Sequence, residues 1–438
     1  MFRRTAVTTA VAATAAVFAL SAPFAGAQAP GGPGTSGPGS VTATPPPPPD
    51  PHPDPTGPDV TALPTPPAPP APGPQTVVSE PIVEPAAFAA AIEQRFAGSG
   101  APVGYAYAIT RNGQLVASNG VGDARIAADG QRDFTPTSRI EVMSVTKPMG
   151  AIALQQILAK RGISVDTPIS AYLPKLWAKG PGYAANSANP VTFRHLLTHT
   201  SGIRQLLDNP PPGVTFSNTW EGMKDIAQIG TTPGGVSSYK NANYVMIRVL
   251  IGRLAGIANT GTGPLAIVGE KSHASRYLKY LNTHVFAKAG VPKVTCWSDD
   301  DDNAAMVYDR DNLAIGGRVI EREGEDRKHC GGHTGLHLSA IDLVKVATHL
   351  RHTEQLLTAP ARELMFAGRL GWNAGSNLGT AMGEWWHGGD GYFGGNRDVH
   401  TCVATLRQNY EVAIVINSQH QTGSGQCSTL RAAYDDAV

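Results

Sequence analysis

The segment "VGYAYAITRNGQLVASNGVGDARI", residues 103 to 126, decides the fold. Two apolar-rich alternating runs flank Asn112-Gly113, the dipeptide that best fits a tight hairpin turn because both positions tolerate positive φ. A sheet therefore begins near residue 103. Far along the chain, "VHTCVATLRQNYEVAIVINS" from Val399 reads as a second hairpin, and "STLRAAYDDAV" closes the chain as a helix. The text between is mainly helical: 149 to 160, "FRHLLTH" from 193, "NYVMIRVLIGRLAG" from 243, "SRYLKYLNTHVFAKAG" from 275 and "SAIDLVKVATHLRHT" from Ser339. Strands at both ends with helices between imply an α/β (α+β) fold. An antiparallel sheet built from both chain ends is flanked by helices and carries an inserted, mainly helical lobe. No internal repeat is visible.

Upstream of the sheet, Arg3 and Arg4 precede an Ala/Val/Thr-rich apolar stretch that ends at Ala25-Gly26-Ala27. This is the pattern of an export signal, and residues 1 to 27 are expected to be removed. Residues 28 to 84 follow as a Pro/Gly-rich disordered linker, including "PPPPPDPHPDPTGP", too poor in apolar side chains to offset its own ordering entropy. Residues 85 to 438 form the expected folded domain. No later stretch reaches the roughly 18 unbroken apolar residues of a spanning helix, so no membrane span is expected after signal cleavage. A net charge of +1 argues against nucleic acid or an anionic membrane as partner. The reading places the protein outside the cell or in its envelope.

An even count of four cysteines in an exported chain points to disulfides. Of the three connectivities, the sequential one is preferred: Cys296 with Cys330 and Cys402 with Cys427. "HCGGHTGLH" also offers metal-ligand types at His329, Cys330, His333 and His337. Gly331, Gly332 and Gly335 break the helix that would align them, so neither a metal nor a cofactor is expected. The acidic run at 298 to 303 lacks the spacing of a known calcium loop and reads as a solvated turn.

Chemistry concentrates at "EVMSVTKPMG", residues 141 to 150. An S-x-x-K arises roughly twice by chance in a chain of this length. This one has two, "SVTK" at 144 and "SSYK" at 237, so spacing alone decides nothing. Pro148 gives no N–H to an i−4 carbonyl and fits the first helical turn, which sets Ser144 at the helix start with Lys147 on the same face. Ser144 would serve there as an ordinary N-cap. However, the helix body from Met149 to Leu158 is apolar apart from Gln155 and Gln156. Such a helix buries Lys147, where an unpaired ammonium is costly.

Four stretches, "SRIEVMSVTKPMGAIALQQILAKRGISVDTPISAYLP", "TFRHLLTHTSGI", "SSYKNANYVMIRVLIGRLAG" and "WWHGGDG", stand in the order found in the β-lactamase-related serine hydrolases. The chain after the linker closely resembles this family of class C β-lactamases, D-Ala-D-Ala peptidases and esterases. The resemblance implies that Ser144 is the acylated nucleophile, Lys147 its partner and Tyr239 a second proton carrier. It further implies that Asn241 binds a substrate amide, and that His387 opens the third motif with Gly389. The oxyanion would be held by the N–H groups of Ser144 and Asp390. "HTG" at 333 to 335 matches the third motif in letters but adjoins a capping box at Ser339 to Asp342, so it is set aside in favour of 387 to 389. Lys240 stands where the family usually has a small residue.

The implied chemistry is acyl transfer on an ester, amide or D-amino-acid peptide, with a small-molecule or peptide substrate as partner, cell-wall fragments included. Lys147 and Tyr239 both remain open as the general base. A D-Ala-D-Ala carboxypeptidase or class C-type β-lactamase is one alternative. A catalytically silent relative that only binds cell-wall peptides is another. Gly388 lacks the hydroxyl that related enzymes use to hold a substrate carboxylate. Asp390 is expected to set a like charge in the cleft, disfavouring anionic substrates.

Overall fold

The computed structural model of the chain describes residues 82–174, 177, 190–212, 217–255, 270–296, 304–319, 330–374, 385–420 and 425–438. The expected export signal, the expected linker up to residue 81 and the acidic run at 298 to 303 lie outside these. The N-terminal hairpin is β1 (Gly104–Arg111) and β2 (Gln114–Arg125), followed by the short β3 (Arg132–Asp133) and β4 (Ile140–Glu141). The second half contributes β5 (His337–Leu338), β6 (Asn373–Ala374), β7 (Trp385–Phe393), β8 (Arg397–Leu406) and β9 (Tyr410–Ile416). Helix α1 (Pro85–Arg95) precedes the sheet. Then come α2 (Thr146–Lys160), α3 (Phe193–Leu197), α4 (Ile203–Asp208), α5 (Trp220–Ile229) and α6 (Ala242–Leu254). The series ends with α7 (Glu270–Tyr280), α8 (Ala340–His352), α9 (Ala359–Ala367) and α10 (Gln426–Asp436).

Seven strands form one sheet in the order β3-β2-β1-β9-β8-β7-β6, and β4 pairs with β5 apart from it. The chain ends meet at its centre, where Tyr105 lies opposite Ile416 and Arg111 opposite Tyr410, antiparallel. At the first hairpin Asn112 and Gly113 take φ of 51° and 81°, the handedness that matches strand twist. Strand β1 is buried on both faces rather than one. Tyr105, Tyr107 and Ile109 pack beneath α1 and α10 with Phe88, Ile92, Leu430 and Tyr434. Ala106 and Ala108 point the other way, into the main core with α2, α6 and α8. Strand β9 repeats the pattern, with Val412, Ile414 and Ile416 on the first face and Ala413 and Val415 on the second.

Pro148 is the third residue of α2, where its missing N–H has no helical partner to lose. Helix α8 opens on the expected capping box, Ser339 Oγ accepting from the Asp342 N–H and the Asp342 carboxylate accepting from the Ser339 N–H. Helix α7 runs on through a π-type turn, Leu281–Phe286, as one element of the expected helix from 275. Helices α1, α4, α5 and α9 had no counterpart in the sequence reading. They are short or, for α1, Ala-rich with little amphipathic contrast. Cys296 is joined to Cys330 and Cys402 to Cys427, with Cα separations of 5.1 and 5.4 Å. The second bond ties β8 to α10.

Helix α8 is pinned to the sheet by one carboxylate. Glu411 of β9 is fully buried and accepts from Thr110 Oγ1 at 2.6 Å, His352 Nε2 at 2.8 Å and Arg351 Nη1 at 3.1 Å. Removing it takes away the acceptor they share, leaving Arg351 Nη1 the Leu406 and Tyr410 carbonyls and Thr110 Oγ1 the Thr348 hydroxyl. Glu411→Ala is expected to lower unfolding stability by about 3 kcal/mol, and Glu411→Gln by less. A loss under about 1 kcal/mol in urea titration would mean that the cluster behaves as a surface pair.

Candidate active site

Ser144 sits on a tight turn between β4 and α2. The Val142 N–H donates to the Leu336 carbonyl at 2.9 Å, and the Val142 carbonyl accepts from Thr401 Oγ1 at 2.9 Å, so the turn is held from two sides. Met143 has φ of 48°, a left-handed conformation uncommon for a non-glycine residue. Ser144 does not cap the helix. Its Oγ instead lies 2.7 Å from Lys147 Nζ and accepts from the Tyr239 hydroxyl at 2.8 Å. Lys147 has no solvent exposure, and its Nζ also donates to the His333 carbonyl at 2.9 Å. Burial drives its pKa well below the ordinary lysine value.

Tyr239 stands on the loop before α6, its ring 4.9 Å from Lys147 Nζ. Burial pushes its phenol up to about 12; the hydrogen bond to Ser144 opposes the rise and the Asp390 charge adds to it. Residue by residue it is 41% exposed, so the loop carries it to the rim while its hydroxyl reaches Ser144. Lys240 turns outward, its Nζ 3.3 Å from Asp208 of α4. Asn241 is the N-cap residue of α6, yet its side chain caps nothing and its buried Oδ1 has no partner among the described residues.

Strand β7 closes the other side. His387 is buried, its Nδ1 lies 2.7 Å from the Gly388 carbonyl, and burial together with the Lys147 charge brings its pKa down to about 3. Gly389 is where the strand meets the Ser144 turn: a Cβ there would lie 2.5 Å from the Val142 carbonyl oxygen and 2.9 Å from the Ser144 nitrogen. Asp390 departs from expectation. Its carboxylate accepts from His400 Nδ1 at 2.7 Å and Gln426 Nε2 at 3.2 Å, on the sheet face covered by α10. Its side chain therefore points to the α10 side of β7 and not into the cleft beside Ser144, although its charge still reaches Tyr239. A cavity of about 420 Å³ adjoins His387, with Thr198, His199, Ser237, Trp372 and Trp386 in its wall.

Two participants escaped the sequence reading. The "HTG" loop set aside as a decoy supplies the His333 carbonyl to Lys147, and Cys330 at its start is held in a disulfide. His199, inside the quoted "HLLTHTSGI", stacks on Tyr239 with ring centroids 4.5 Å apart. No composition or periodicity signal marks a backbone carbonyl. His199 could have been found only by asking why a histidine stands in that motif.

An antiparallel sheet made from both chain ends, with a Ser-x-x-Lys helix, a Tyr-x-Asn loop and an edge-proximal His-Gly-Gly strand converging, is the arrangement of a β-lactamase type of fold. A family model described as Beta-lactamase matches residues 88–434, and the chain belongs to that family. It is 25% identical over 240 residues to PbpX, a Bacillus subtilis (strain 168) protein with a penicillin-binding name, covering 54% of this chain and 52% of that one. It is 33% identical over 101 residues to Esterase EstB of Burkholderia gladioli, 23% of this chain and 24% of that one. The chain thus spans about half or less of these curated relatives' length. Among solved structures, EstCE1, a hydrolase with promiscuous acyltransferase activity, superposes with a TM-score of 0.57 at 18% identity, covering 80% of this chain and 98% of that one.

Neighbouring glycines on β7 separate two packing demands. Gly389→Ala drives a Cβ into backbone atoms, whereas the nearest atoms to a Cβ at Gly388 are Cys427 Sγ and Gln426 Nε2 at 3.4 Å. Urea titration is expected to show a loss of about 1–3 kcal/mol for Gly389→Ala and little change for Gly388→Ala. Equal effects would contradict the close approach of β7 to Ser144.

Proposed function

We propose that the protein is an exported serine hydrolase that forms an acyl-enzyme at Ser144 on ester, amide or D-amino-acid peptide substrates. The observation that carries this reading is the double contact of Ser144 Oγ, 2.7 Å from a fully buried lysine nitrogen and 2.8 Å from a tyrosine hydroxyl. A catalytically silent binding relative would have no use for a desolvated amine against its serine. The proposed export signal, the Pro/Gly-rich composition of residues 28 to 84 and the paired cysteines suit an extracellular or envelope setting.

The opposite pKa directions of Lys147 and Tyr239 support a division of labour left open by sequence. As a neutral amine, Lys147 takes the Ser144 proton on its lone pair while one N–H stays on the His333 carbonyl. The Ser144 oxygen then bonds to the substrate carbonyl carbon, and the C=O electron pair moves onto oxygen, facing the N–H groups of Ser144 and Asp390. Tyr239, still a phenol, gives its proton to the departing oxygen or nitrogen as the bond breaks. The lysine ammonium beside its ring restores that proton, and water repeats the sequence on the acyl-enzyme. Asn241 Oδ1, buried with no partner among the described residues, is suited to accept from a substrate amide N–H.

With the Asp390 carboxylate engaged by His400 and Gln426 on the other face of β7, it does not stand directly against a substrate carboxylate at Ser144. A D-Ala-D-Ala carboxypeptidase or class C-type β-lactamase is therefore the second reading. Rates on p-nitrophenyl acetate, D-Ala-p-nitroanilide, nitrocefin and a D-Ala-D-Ala peptide separate the two.

Fluorophosphonate or penicillin labelling followed by peptide mass spectrometry is expected to place the adduct on Ser144, with Ser144→Ala unlabelled; a labelled Ser144→Ala protein ends the proposal. Lys147→Ala and Tyr239→Phe should each slow acylation about 100-fold or more, with losses that do not add because the pair moves protons as one unit. Lys147 must be neutral to act, so acylation rises with pH through its ionisation, well below the 10.5 of an ordinary lysine. A rising limb centred near 10.5 in stopped-flow acylation would show that Lys147 is not the base.

A further inference from the structure

His199 grips Tyr239 from three directions. Its backbone carbonyl accepts from the N–H of Ser238 at 2.9 Å, and its ring Nδ1 lies 3.3 Å from the donating N–H of Lys240. Between these two contacts, its ring lies against the Tyr239 ring at 4.5 Å and the Tyr244 ring at 5.3 Å. The residues before and after the tyrosine and the tyrosine ring itself are thus held by one residue, the first through its backbone and the other two through its ring. His199 is itself held at φ of 58°, a left-handed backbone that a non-glycine residue adopts only under constraint.

The ring's protonation pattern is set by a second, buried pair. Ser201 Oγ donates to Asn243 Oδ1 at 2.5 Å, which fixes the Asn243 amide with its Nδ2 at 3.1 Å from His199 Nδ1 and 3.2 Å from the Lys240 carbonyl. Both Ser201 and Asn243 are essentially inaccessible to solvent. Two N–H donors converge on Nδ1, so it must keep its lone pair and the ring proton resides on Nε2. We propose that His199 is a positioning residue for the acylation step, held as the neutral Nε2–H tautomer by Asn243 and Ser201 so that Tyr239 keeps its hydroxyl on Ser144. This rests on the serine-hydrolase reading above. A cationic His199 would need a proton on Nδ1, opposite the Lys240 and Asn243 N–H groups, and would release the loop. Burial and the Lys147 charge, which bring the His199 pKa down to about 3, act in the same sense. The titratable groups around it are Lys147 of α2, Tyr239, Tyr244 of α6 and His387 of β7, while the Lys240 ammonium is turned to Asp208.

Two variants and one control test this. His199→Phe keeps the ring stack and removes the acceptor; Ser144 acylation by a fluorophosphonate and kcat for p-nitrophenyl acetate should fall at least about tenfold, with KM changed less than about threefold and Tm near that of the wild type. Asn243→Asp alters no shape but replaces the donor to Nδ1 with an acceptor, so His199 gains a proton on Nδ1. Its acylation should then fall more steeply than wild type as pH drops, because a histidine ionisation adds to that of Lys147. The extra steepness should vanish in the His199→Phe/Asn243→Asp double variant. If His199→Phe does not fold, the Asn243→Asp profile alone decides. Wild-type acylation rates in a folded His199→Phe protein, or an Asn243→Asp profile that superposes on wild type, overturn the inference while leaving Ser144 labelling intact. Wild-type protein that takes no label on Ser144 overturns the parent reading and this one with it.

Discussion

A lysine removed entirely from solvent must be given partners by its surroundings or be driven neutral, and Lys147 is subject to both. Its nitrogen is enclosed by Ser144 Oγ, the His333 carbonyl and the rings of Tyr239 and Tyr244. These come from three separate parts of the chain. The His333 loop starts at Cys330, which is anchored to Cys296, and continues into β5, whose pairing with β4 aligns the approach to Ser144. The loop's Leu336 carbonyl holds the Val142 N–H of the same turn. The apolar body of α2 is then a requirement of the site as well as of the core. A more soluble helix would admit water to the amine and restore its ordinary basicity.

The opposing wall depends on two kinds of contact. On one side a histidine stacks on Tyr239 and holds the residues flanking it; on the other a glycine lets a whole strand come within van der Waals reach of the serine turn. Thr401 of β8 reaches through the gap left by Gly389 to the Val142 carbonyl, so the sheet grips the turn through a side chain that the glycine makes room for. Meanwhile Glu411 holds α8 to β1 and β9 on the same face of the sheet.

Much of this was legible in sequence because it is written in local pattern. Asn112-Gly113, the Ser339 to Asp342 box and Pro148 are short-range signals with one favoured backbone solution each, and the structure adopts all three. The burial of Lys147 followed from the apolar text of its helix. What could not be read was long-range. That β1 is covered on both faces depends on α1 and α10 packing from opposite ends of the chain, and the Ala/large alternation in "YAYAI" records it only in hindsight. Backbone groups such as the His333 carbonyl carry no residue signature at all.

The orientation of Asp390 shows where a pattern argument had more to give. Side chains alternate across a strand with period two, so residues 387 and 389 share one face of β7 and residues 388 and 390 share the other. Once His387 and Gly389 are assigned to the side of Ser144, the Asp390 carboxylate must lie on the side of α10. It does, directly across from His400 on β8. The backbone obeys a different rule, because its N–H groups lie in the plane of the sheet and not on either face. An edge-proximal strand can therefore direct an N–H toward the serine from the very residue whose charge it turns away. In this way one position can serve a developing oxyanion without setting its own negative charge beside it.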